Sequence, residues 1–257
     1  MSENDRRTAI LGLLREHQRV ETDALARRFR VTVQTIRRDL DRLEGDGLLT
    51  RTHGGAVPRS SVANIGYADR QTLNLDAKRA IARTAARLIP DRASLYLDIG
   101  TTAEALAAAL LNHDGLMVIT NNLRAATILA ANPTFEVIVA GGVLRQADAG
   151  LVGEQTVGFL RQFRPDFACL SASALDLTGD FLDYDFREVQ VSRIARTQAH
   201  RAMLLADASK FRRRAPVRIG SLEDLEDFVT DAPPPGDLAG RLAAWGTALH
   251  VAANSPL

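Results

Sequence analysis

Apolar residues recur at helical spacing in the first part of the chain. Over residues 6–17 the spacing i, i+3, i+4, i+7 is kept by Ile10, Leu13, Leu14 and His17. This period predicts a first helix with these side chains on one face. Thr22 suits the N-cap of a second, short helix, which would bury Leu25 and Phe29 one turn apart.

A third helix is predicted over residues 33–44, with Thr32 as its N-cap. Its apolar stripe consists of Val33, Ile36, Leu40 and Leu43, and its opposite face carries long polar side chains. Such a helix suits the major groove of DNA, because Arg and Gln form paired hydrogen bonds to base edges while Thr and further Arg reach phosphates. The candidate contacts on this segment are Thr32, Gln34, Thr35, Arg37, Arg38 and Arg42.

A short extended stretch with a glycine turn follows over residues 48–55. It predicts a wing that lays Arg51 and His53 against the neighbouring DNA backbone or minor groove. The alternative for the whole segment is a small helical bundle whose polar face meets only water.

From residue 76 onward the pattern alternates between strands and helices. Buried strands are expected at 94–97, 116–120 and 135–140, with helices between them at 103–111 and 123–131. Repeated βα units imply a mostly parallel sheet with helices on both faces. We therefore predict an α/β protein of three parts, a winged helix-turn-helix domain at 1–58, a linker at 59–75 and an α/β domain at 76–257.

Three successive strands end in polar or glycine-rich loops. These loops are Asp98-Ile99-Gly100-Thr101-Thr102, Thr120-Asn121-Asn122 and Ala140-Gly141-Gly142. Parallel sheets bind ligands at the carboxyl ends of their strands, and backbone N–H groups with hydroxyls at a helix start can hold an anion. Each loop taken singly is equally consistent with a structural cap or tight turn.

Two later groups extend this candidate site. Asp183, Asp185 and Glu188 precede a helix, and Lys210 follows a strong strand. The carboxylates suit sugar or polyol hydroxyls, and the lysine suits a phosphate. The alternatives are charge compensation at a helix start for the acids and a solvated surface position for the lysine.

Charge and composition narrow the function classes. The net charge of +1 is uneven, because residues 1–59 hold 12 arginines, no lysine and 9 acidic residues. No run of eighteen apolar residues occurs, the first residues are acidic, and Cys169 is the single cysteine, so we expect a cytoplasmic protein without a membrane span or disulfide framework. Five histidines and one cysteine show no metal-ligand spacing, and no metal or cofactor is expected.

The stretches Thr32–Leu40 and Arg51-Thr52-His53-Gly54-Gly55-Ala56 resemble the helix-turn-helix signature of the DeoR family. The second domain also resembles this family, whose sensor domain is similar to ribose-5-phosphate isomerase and related sugar-phosphate enzymes. The resemblance runs from about Arg6 to Leu238. Two stretches, Gln162–Phe167 and Thr230–Pro235, favour a subgroup of the family that is concerned with glycerol-3-phosphate.

The resemblance assigns an effector pocket to the α/β domain. It implies as pocket residues Asp98, Gly100, Thr101, Thr102, Asn121, Asn122, Gly141, Gly142, Asp185, Glu188 and Lys210. The chain departs from the family pattern in having Ser171 and Ala174 in place of glycines, and Ser192 in place of Lys or Arg. These departures concern the size and charge of the pocket.

The expected function is therefore that of a DNA-binding transcriptional regulator, in the first place a repressor of carbon or glycerol metabolism genes, rather than an enzyme. Its partners would be double-stranded operator DNA and a phosphorylated metabolite, glycerol-3-phosphate first, acting on a homodimer or homotetramer. Three alternatives remain: a regulator of the family that responds to a different sugar phosphate, a sugar-phosphate isomerase with an appended DNA-binding head, and a purely structural DNA-binding protein.

Overall fold

A computed structural model describes residues 3–59, 64 and 66–253. The chain forms two compact units, Met1–Leu73 and Asn74–Leu257. Within the predicted linker, residues 60–63 and 65 lie outside the described residues, while Tyr67–Thr72 forms a short helix.

The first unit is a small helical domain with a three-stranded antiparallel sheet. Its elements are α1 (Glu3–His17), β1 (Val20–Glu21), α2 (Thr22–Phe29), α3 (Val33–Gly45), β2 (Leu49–Thr52), β3 (Gly55–Pro58) and α4 (Tyr67–Thr72). The sheet order is β1-β3-β2. One apolar cluster joins the helices to the sheet, with Ile10, Leu14, Leu25, Ile36, Leu40, Leu43 and Leu49 at its centre. This arrangement is the predicted winged helix-turn-helix.

Two of the predicted helix caps have different outcomes. Thr32 caps α3 as expected, because its Oγ1 accepts a hydrogen bond from Thr35 N at 3.1 Å. Thr22 is not a cap, since the helix already includes it and Glu21 occupies the cap position without a side-chain bond. His17, which shares the predicted face of the first helix, is exposed, because α1 ends at this residue.

A buried ion pair ties α1 to α3. The Arg6 guanidinium donates to both carboxylate oxygens of Asp39, with Nε–Oδ2 at 2.5 Å and Nη2–Oδ1 at 3.1 Å. Both residues are buried. Because a bidentate pair fixes distance and direction together, it sets which side of α3 faces the domain interior.

The second unit contains a parallel sheet of seven strands within its described residues. They are β4 (Ser94–Leu97), β5 (Met117–Thr120), β6 (Glu136–Val139), β9 (Phe167–Ser171), β12 (Arg201–Leu205), β14 (Asp227–Thr230) and β15 (Ala248–Val251). The order is β15-β14-β12-β9-β4-β5-β6, and every pair is parallel. The chain runs outward from β4 to β5 and β6, and then returns to β9 on the other side of β4. The carboxyl ends of β4 and β9 therefore flank a topological switch point, where such sheets open a crevice.

Helices cover both faces of this sheet, as predicted. The elements on one face are α5 (Leu75–Ala86), α6 (Thr101–Leu110) and α7 (Leu123–Leu129), and those on the other are α8 (Glu154–Leu160), α9 (Phe186–Gln198) and α10 (Leu238–Trp245). Along β4, Leu95 and Leu97 point to the α5 face while Tyr96 points to the α9 face. Side-chain direction therefore alternates between two separate cores.

Two smaller pieces of sheet were not predicted from the sequence. One is the hairpin of β7 (Val143–Arg145) and β8 (Gly150–Val152), and the other joins β10 (Ala174–Leu175), β11 (Asp180–Asp183) and β13 (Val217–Ser221). None of the helices in the described part of the chain combines the length and apolar character that a membrane crossing requires.

The two wing glycines differ in what they face, which gives a stability prediction. A Cβ at Gly55 would lie 1.8 Å from Val20 O, whereas a Cβ at Gly54 would meet nothing within 4 Å. We expect Gly55→Ala to destabilise the β1–β3 pairing by about 1–3 kcal/mol, because backbone atoms must move apart. Hydrogen exchange of peptides covering β1 and β3 should become faster in this variant and stay unchanged in Gly54→Ala. Equal exchange in the two variants would show that the close approach is not needed.

Candidate functional site

The exposed face of α3 carries the predicted DNA-contacting side chains. Gln34, Arg37, Arg38 and Arg42 are exposed, and Thr35 is half-buried. Among the described residues, the side chains of Gln34, Arg37 and Arg38 have no hydrogen bond or ion pair. The buried stripe of Ile36, Leu40 and Leu43 lies on the opposite side. The buried side of α3 is therefore packed into the domain, while Gln34, Arg37 and Arg38 point outward, and their side chains have no partner among the described residues.

The remaining candidates on α3 are partly engaged. Thr32 is exposed but uses its hydroxyl at the cap, with its Oγ1 also 2.9 Å from Thr35 Oγ1. Arg42 Nη1 lies 3.5 Å from Glu3 Oε1, in an exposed pair that is weak.

In the wing, Arg51 and His53 differ. The Arg51 guanidinium turns back onto α3, where Nη1 donates to Arg37 O at 3.2 Å and to Asp41 Oδ1 at 3.0 Å. Its backbone N–H also donates to Glu44 Oε1 at 2.8 Å. Arg51 therefore braces the wing against α3, whereas His53 lies exposed in the turn. The sequence pattern did not predict this brace.

At the switch point, the loop between β4 and α6 turns on Gly100. Its φ of 138° lies in the region that favours glycine, and a Cβ there would lie 3.1 Å from Ser171 Oγ. Thr101 and Thr102 begin α6 directly after it, with Thr101 half-buried and Thr102 buried. The ends of β4 and β9 can therefore approach closely because Gly100 has no side chain.

Asp98 lies buried beneath this loop. Its carboxylate accepts hydrogen bonds from Tyr96 Oη at 3.0 Å, Ile99 N at 2.9 Å, Ser171 N at 3.2 Å and Ser192 Oγ at 3.0 Å. Burial raises the pKa of Asp98 to about 6, although these four donors act to lower it. The family departure at Ser192 places a small hydroxyl donor against Asp98. Asp98 is thus occupied in joining β4, β9 and α9.

The two asparagines after β5 are also fully buried. Asn121 accepts from Tyr96 Oη at 2.7 Å and donates to Leu151 O at 2.9 Å. Asn122 caps α7 by accepting from Arg124 N and Ala125 N, each at 3.1 Å, and its Nδ2 donates to Asp98 O at 3.3 Å. Their side chains hold the strand ends together, which is the structural role that the sequence left open.

Gly141 and Gly142 end β6 in different ways. Gly142 has a φ of 147°, and a Cβ there would lie 2.1 Å from Thr156 Oγ1. Gly141 is exposed, faces open space, and its carbonyl accepts from Thr156 Oγ1 at 2.7 Å. The pair anchors the edge strand to the start of α8.

The predicted acidic group is held by an arginine that the sequence analysis missed. Arg145 lies 2.7 Å from Asp148, 3.3 Å from Asp185 and 2.5 Å from Glu188. Burial raises the pKa of Glu188 well above its ordinary value, as does the charge of nearby Asp183, while Arg145 acts in the opposite direction. The sequence pattern around Arg145 does not predict this contact, because Asp185 and Glu188 lie about 40 residues later in the chain.

Asp185 retains the expected cap role beside this cluster. Its Oδ1 accepts from Arg187 N at 2.9 Å at the start of α9. Although burial raises its pKa, hydrogen bonds from Arg187 and the charge of Arg145 lower it to about 2.

Lys210 lies in a short 3₁₀ segment, Ala208–Arg212, after β12. It is buried, so the alternative of a solvated surface lysine is wrong. Asp98, Gly100, the asparagines and Lys210 all follow strands that end at the same edge of the parallel sheet. The acidic group instead lies at the end of β11 and the start of α9, and α9 contacts Asp98 at this edge through Ser192. The structure therefore gathers the predicted residues at one edge, with much of their polar capacity used internally.

No group of three metal-ligating side chains occurs within residues 3–59, 64 and 66–253. Cys169 is free and buried on β9, and burial raises the pKa of its thiol.

Comparison with known proteins gives matches along most of the chain. A family model described as the DeoR C terminal sensor domain matches residues 73–232, and one described as the DeoR-like helix-turn-helix domain matches residues 6–62. The Glycerol-3-phosphate regulon repressor of Escherichia coli K12 is 43% identical over 235 residues, which are 91% of this chain and 93% of that protein. The protein of that name from Haemophilus influenzae is 45% identical over 236 residues, 92% of each chain.

Among solved structures, ribose 5-phosphate isomerase A from Methanocaldococcus jannaschii aligns with a TM-score of 0.40 at 18% identity. The alignment covers 54% of this chain and 55% of that one.

The Arg145 cluster gives a stability prediction with a matched control. Arg145→Met should lower the free energy of unfolding by about 3–5 kcal/mol, because buried carboxylates lose their cation. Arg187→Met removes an exposed partner of the same Asp185 and should leave the free energy of unfolding almost unchanged, because solvent screens this pair. Urea unfolding followed by the fluorescence of Trp245, the single tryptophan, measures both. Equal losses would mean that the three-carboxylate cluster is not held by Arg145.

Asp98 gives a pH prediction. Its pKa of about 6 lies above the ordinary value of 3.8, so the folded state binds a proton more tightly than the unfolded state. The resulting stabilisation is complete below about pH 4 and is lost as the pH rises through about 6, with a limit of about 3 kcal/mol. Asp98→Asn should remove this component. The free energy of unfolding, measured from pH 4 to 7, should therefore fall less steeply in the variant; parallel curves would contradict the assignment.

Proposed function

Because the chain belongs to the DeoR family, we propose that it is a DNA-binding transcriptional repressor that a small phosphorylated metabolite, glycerol-3-phosphate in the first place, releases from its operator. The observation that carries the DNA-binding part is the outward face of α3, where Gln34, Arg37 and Arg38 have no partner among the described residues. Reading bases in the major groove requires long hydrogen-bonding side chains, such as Arg and Gln, on a recognition helix that is held in place by its domain.

The rest of the first unit supports this reading. Asp39 is buried against Arg6, so it holds α3 to the domain interior, while its neighbour Arg38 faces outward. The brace from Arg51 to α3 fixes the wing, and the exposed His53 remains available for the DNA backbone. We assign base discrimination to Gln34, Arg37 and Arg38, with Thr32, Thr35, Arg42 and the wing near phosphates.

The effector part is supported by the carboxyl edge of the parallel sheet. A glycine turn leads into α6 at the switch point, and the buried Lys210 lies at the end of β12. These features suit a small anion. The relatives named as glycerol-3-phosphate regulon repressors make glycerol-3-phosphate the first candidate.

Release requires that the effector bind more tightly to the arrangement with lower DNA affinity. A 100-fold change in DNA affinity corresponds to a coupling free energy of about 2.7 kcal/mol. We propose that the active species is a homodimer or homotetramer, because paired recognition helices can read repeated half-sites. Light scattering of the purified protein measures its mass.

The acidic group favours binding over catalysis. An isomerase would need a free carboxylate as general base, and both Asp185 and Glu188 are held by Arg145. The relatives' names, which describe repressors, agree with a regulator.

The DNA-binding part predicts the effect of one side-chain removal. Arg38→Ala should weaken specific binding by about 5- to 150-fold, the equivalent of about 1–3 kcal/mol for a bidentate base contact. The control is Arg79→Ala, which removes an exposed arginine from α5 and should leave the affinity unchanged. Fluorescence anisotropy on genomic fragments selected by the purified protein measures both. A folded Arg38→Ala protein with full affinity would exclude this face of α3.

The effector part is tested on the same complexes. Glycerol-3-phosphate should release the DNA, whereas glycerol should not, because the phosphate carries the recognition. Arg38→Ala should keep the thermal stabilisation by glycerol-3-phosphate, since it alters only the other unit. Indifference of binding to every phosphorylated compound would remove the effector from the proposal, and turnover of pentose or hexose phosphates would favour the isomerase.

A further inference from the structure

The chain has 32 basic residues but only two lysines, Lys78 and Lys210. Both are buried, with 4% and 9% of their surface exposed. Lysine is rarely buried, because removing an ammonium group from water is costly unless charges or hydrogen bonds compensate. In a chain that otherwise uses arginine, the two lysines therefore mark a place where a compact positive charge is needed.

The two lysines act on the same carboxylate. Burial raises the pKa of Asp207, but the charges of Lys210, Arg213 and Lys78, together with a hydrogen bond from Ser209, hold it below its ordinary range. Three cations thus lie around Asp207. These three cations outnumber the single carboxylate of Asp207, so the surroundings suit an anion.

Hydrogen bonds fix where these groups stand. Asn74, at the cap position of α5, donates from Nδ2 to Asp207 Oδ1 at 3.0 Å and to Ser209 Oγ at 3.1 Å. Lys78 follows one turn later, its N–H donating to Asn74 O at 3.0 Å. Lys210 N donates to Asp207 O, also at 3.0 Å. The start of α5 is therefore tied to the segment after β12, and each lysine is tied to that junction.

This junction shares a sheet face with the Gly100 turn. Cys169 belongs to the core on the α5 side, so Ser171, two residues later on β9, points to the same side. Its Oγ is buried without a hydrogen-bond partner in the described part of the chain. It lies next to Gly100, and β9 separates β4 from β12. An unused hydroxyl thus lies between the α6 start and the lysine junction, whereas Asp98 contacts α9 on the other face.

We propose that Lys78 is a phosphate-binding residue of the effector site, acting together with Lys210, and that the Ser171 hydroxyl donates to the same phosphate. This inference rests on the proposed function. A phosphate monoester carries a charge of about −1.5 to −2 near neutral pH, which two lysines balance. Lysine serves such a group as a point charge, without the fixed planar geometry that an arginine imposes. Asn74 and Asp207 position the pair.

The first test measures affinity by isothermal titration of the full-length protein. Lys78→Met should weaken the binding of glycerol-3-phosphate about 10- to 100-fold, the range for loss of a hydrogen bond to a charged group. Arg79→Met, the exposed neighbour on α5, should bind as the wild type does. Inorganic phosphate in place of glycerol-3-phosphate shows whether the subsite recognises the phosphate alone, and glycerol should not bind. Wild-type affinity in a folded Lys78→Met protein would overturn the proposal.

The second test needs no substitution and covers the case of a Lys78→Met protein that fails to fold. Labelling with 13C,15N-lysine marks only two side chains, so Lys78 and Lys210 give separate Cε and Nζ resonances. During titration of the wild type with glycerol-3-phosphate, both sets should shift with one Kd. A Lys78 signal that stays fixed at saturation would overturn the inference while leaving the proposed function intact. Absence of binding by the wild type to any phosphorylated compound would instead defeat the effector part of the proposed function.

Discussion

The second unit is organised around the buried carboxylate of Asp98. Parallel strands β4 and β9 end side by side, and the chain leaves them in opposite directions, so nothing in the sheet itself closes the gap above them. Asp98 spans this gap by accepting from Ser171 N on β9 and Ser192 Oγ on α9. The cost of this position is visible in its raised pKa. The ends of β4 and β9 are thereby held to α9 in a fixed arrangement, and a binding site for a small ligand is usually preformed in this way.

The first unit solves a similar problem with an ion pair. A recognition helix must keep one side against its domain and the other available for DNA. Asp39 and Arg38 are neighbours in the sequence, yet Asp39 pairs with the buried Arg6 while Arg38 is exposed without a partner among the described residues. A buried pair is directional, so a rotation of α3 that hid Arg38 would also separate Asp39 from Arg6. Orientation of the polar face is thus secured from inside.

The sequence predicted features that depend on local spacing. The α3 stripe and the Thr32 cap follow from the 3.6-residue period and from a hydroxyl beside the helix start, and both are present in the structure. Alternating βα units likewise placed the polar loops at one sheet edge. What spacing cannot give is the direction of a polar side chain. Asn121 and Asn122 are of the residue types that bind ligands, but their amides are used between strand ends.

Contacts between distant segments were beyond local inference. Arg145 reaches Asp185 and Glu188 only because the β7–β8 hairpin brings it to the start of α9. These two residues lie far from Arg145 in the sequence, so local spacing does not indicate the contact. Lys78 was overlooked for the opposite reason. Lys78 lies on the apolar side of α5, where the spacing of the apolar residues predicts core packing. The pattern therefore predicts that Lys78 is buried, but it does not predict the contact with Asp207 after β12.

The two faces of the carboxyl edge differ in charge. On the α9 face, burial raises the pKa values of Asp98 and Glu188, and the charge of Asp183 raises that of Glu188 further, so additional negative charge is unfavourable there. On the α5 face, the lysines lower the pKa of Asp207, which shows that negative charge is stabilised. A phosphorylated polyol has the same asymmetry, with its charge at one end and neutral hydroxyls at the other. For the proposed ligand, this difference in charge favours one direction, with the phosphate toward the buried Lys78 and Lys210 and the hydroxyls toward the acidic face.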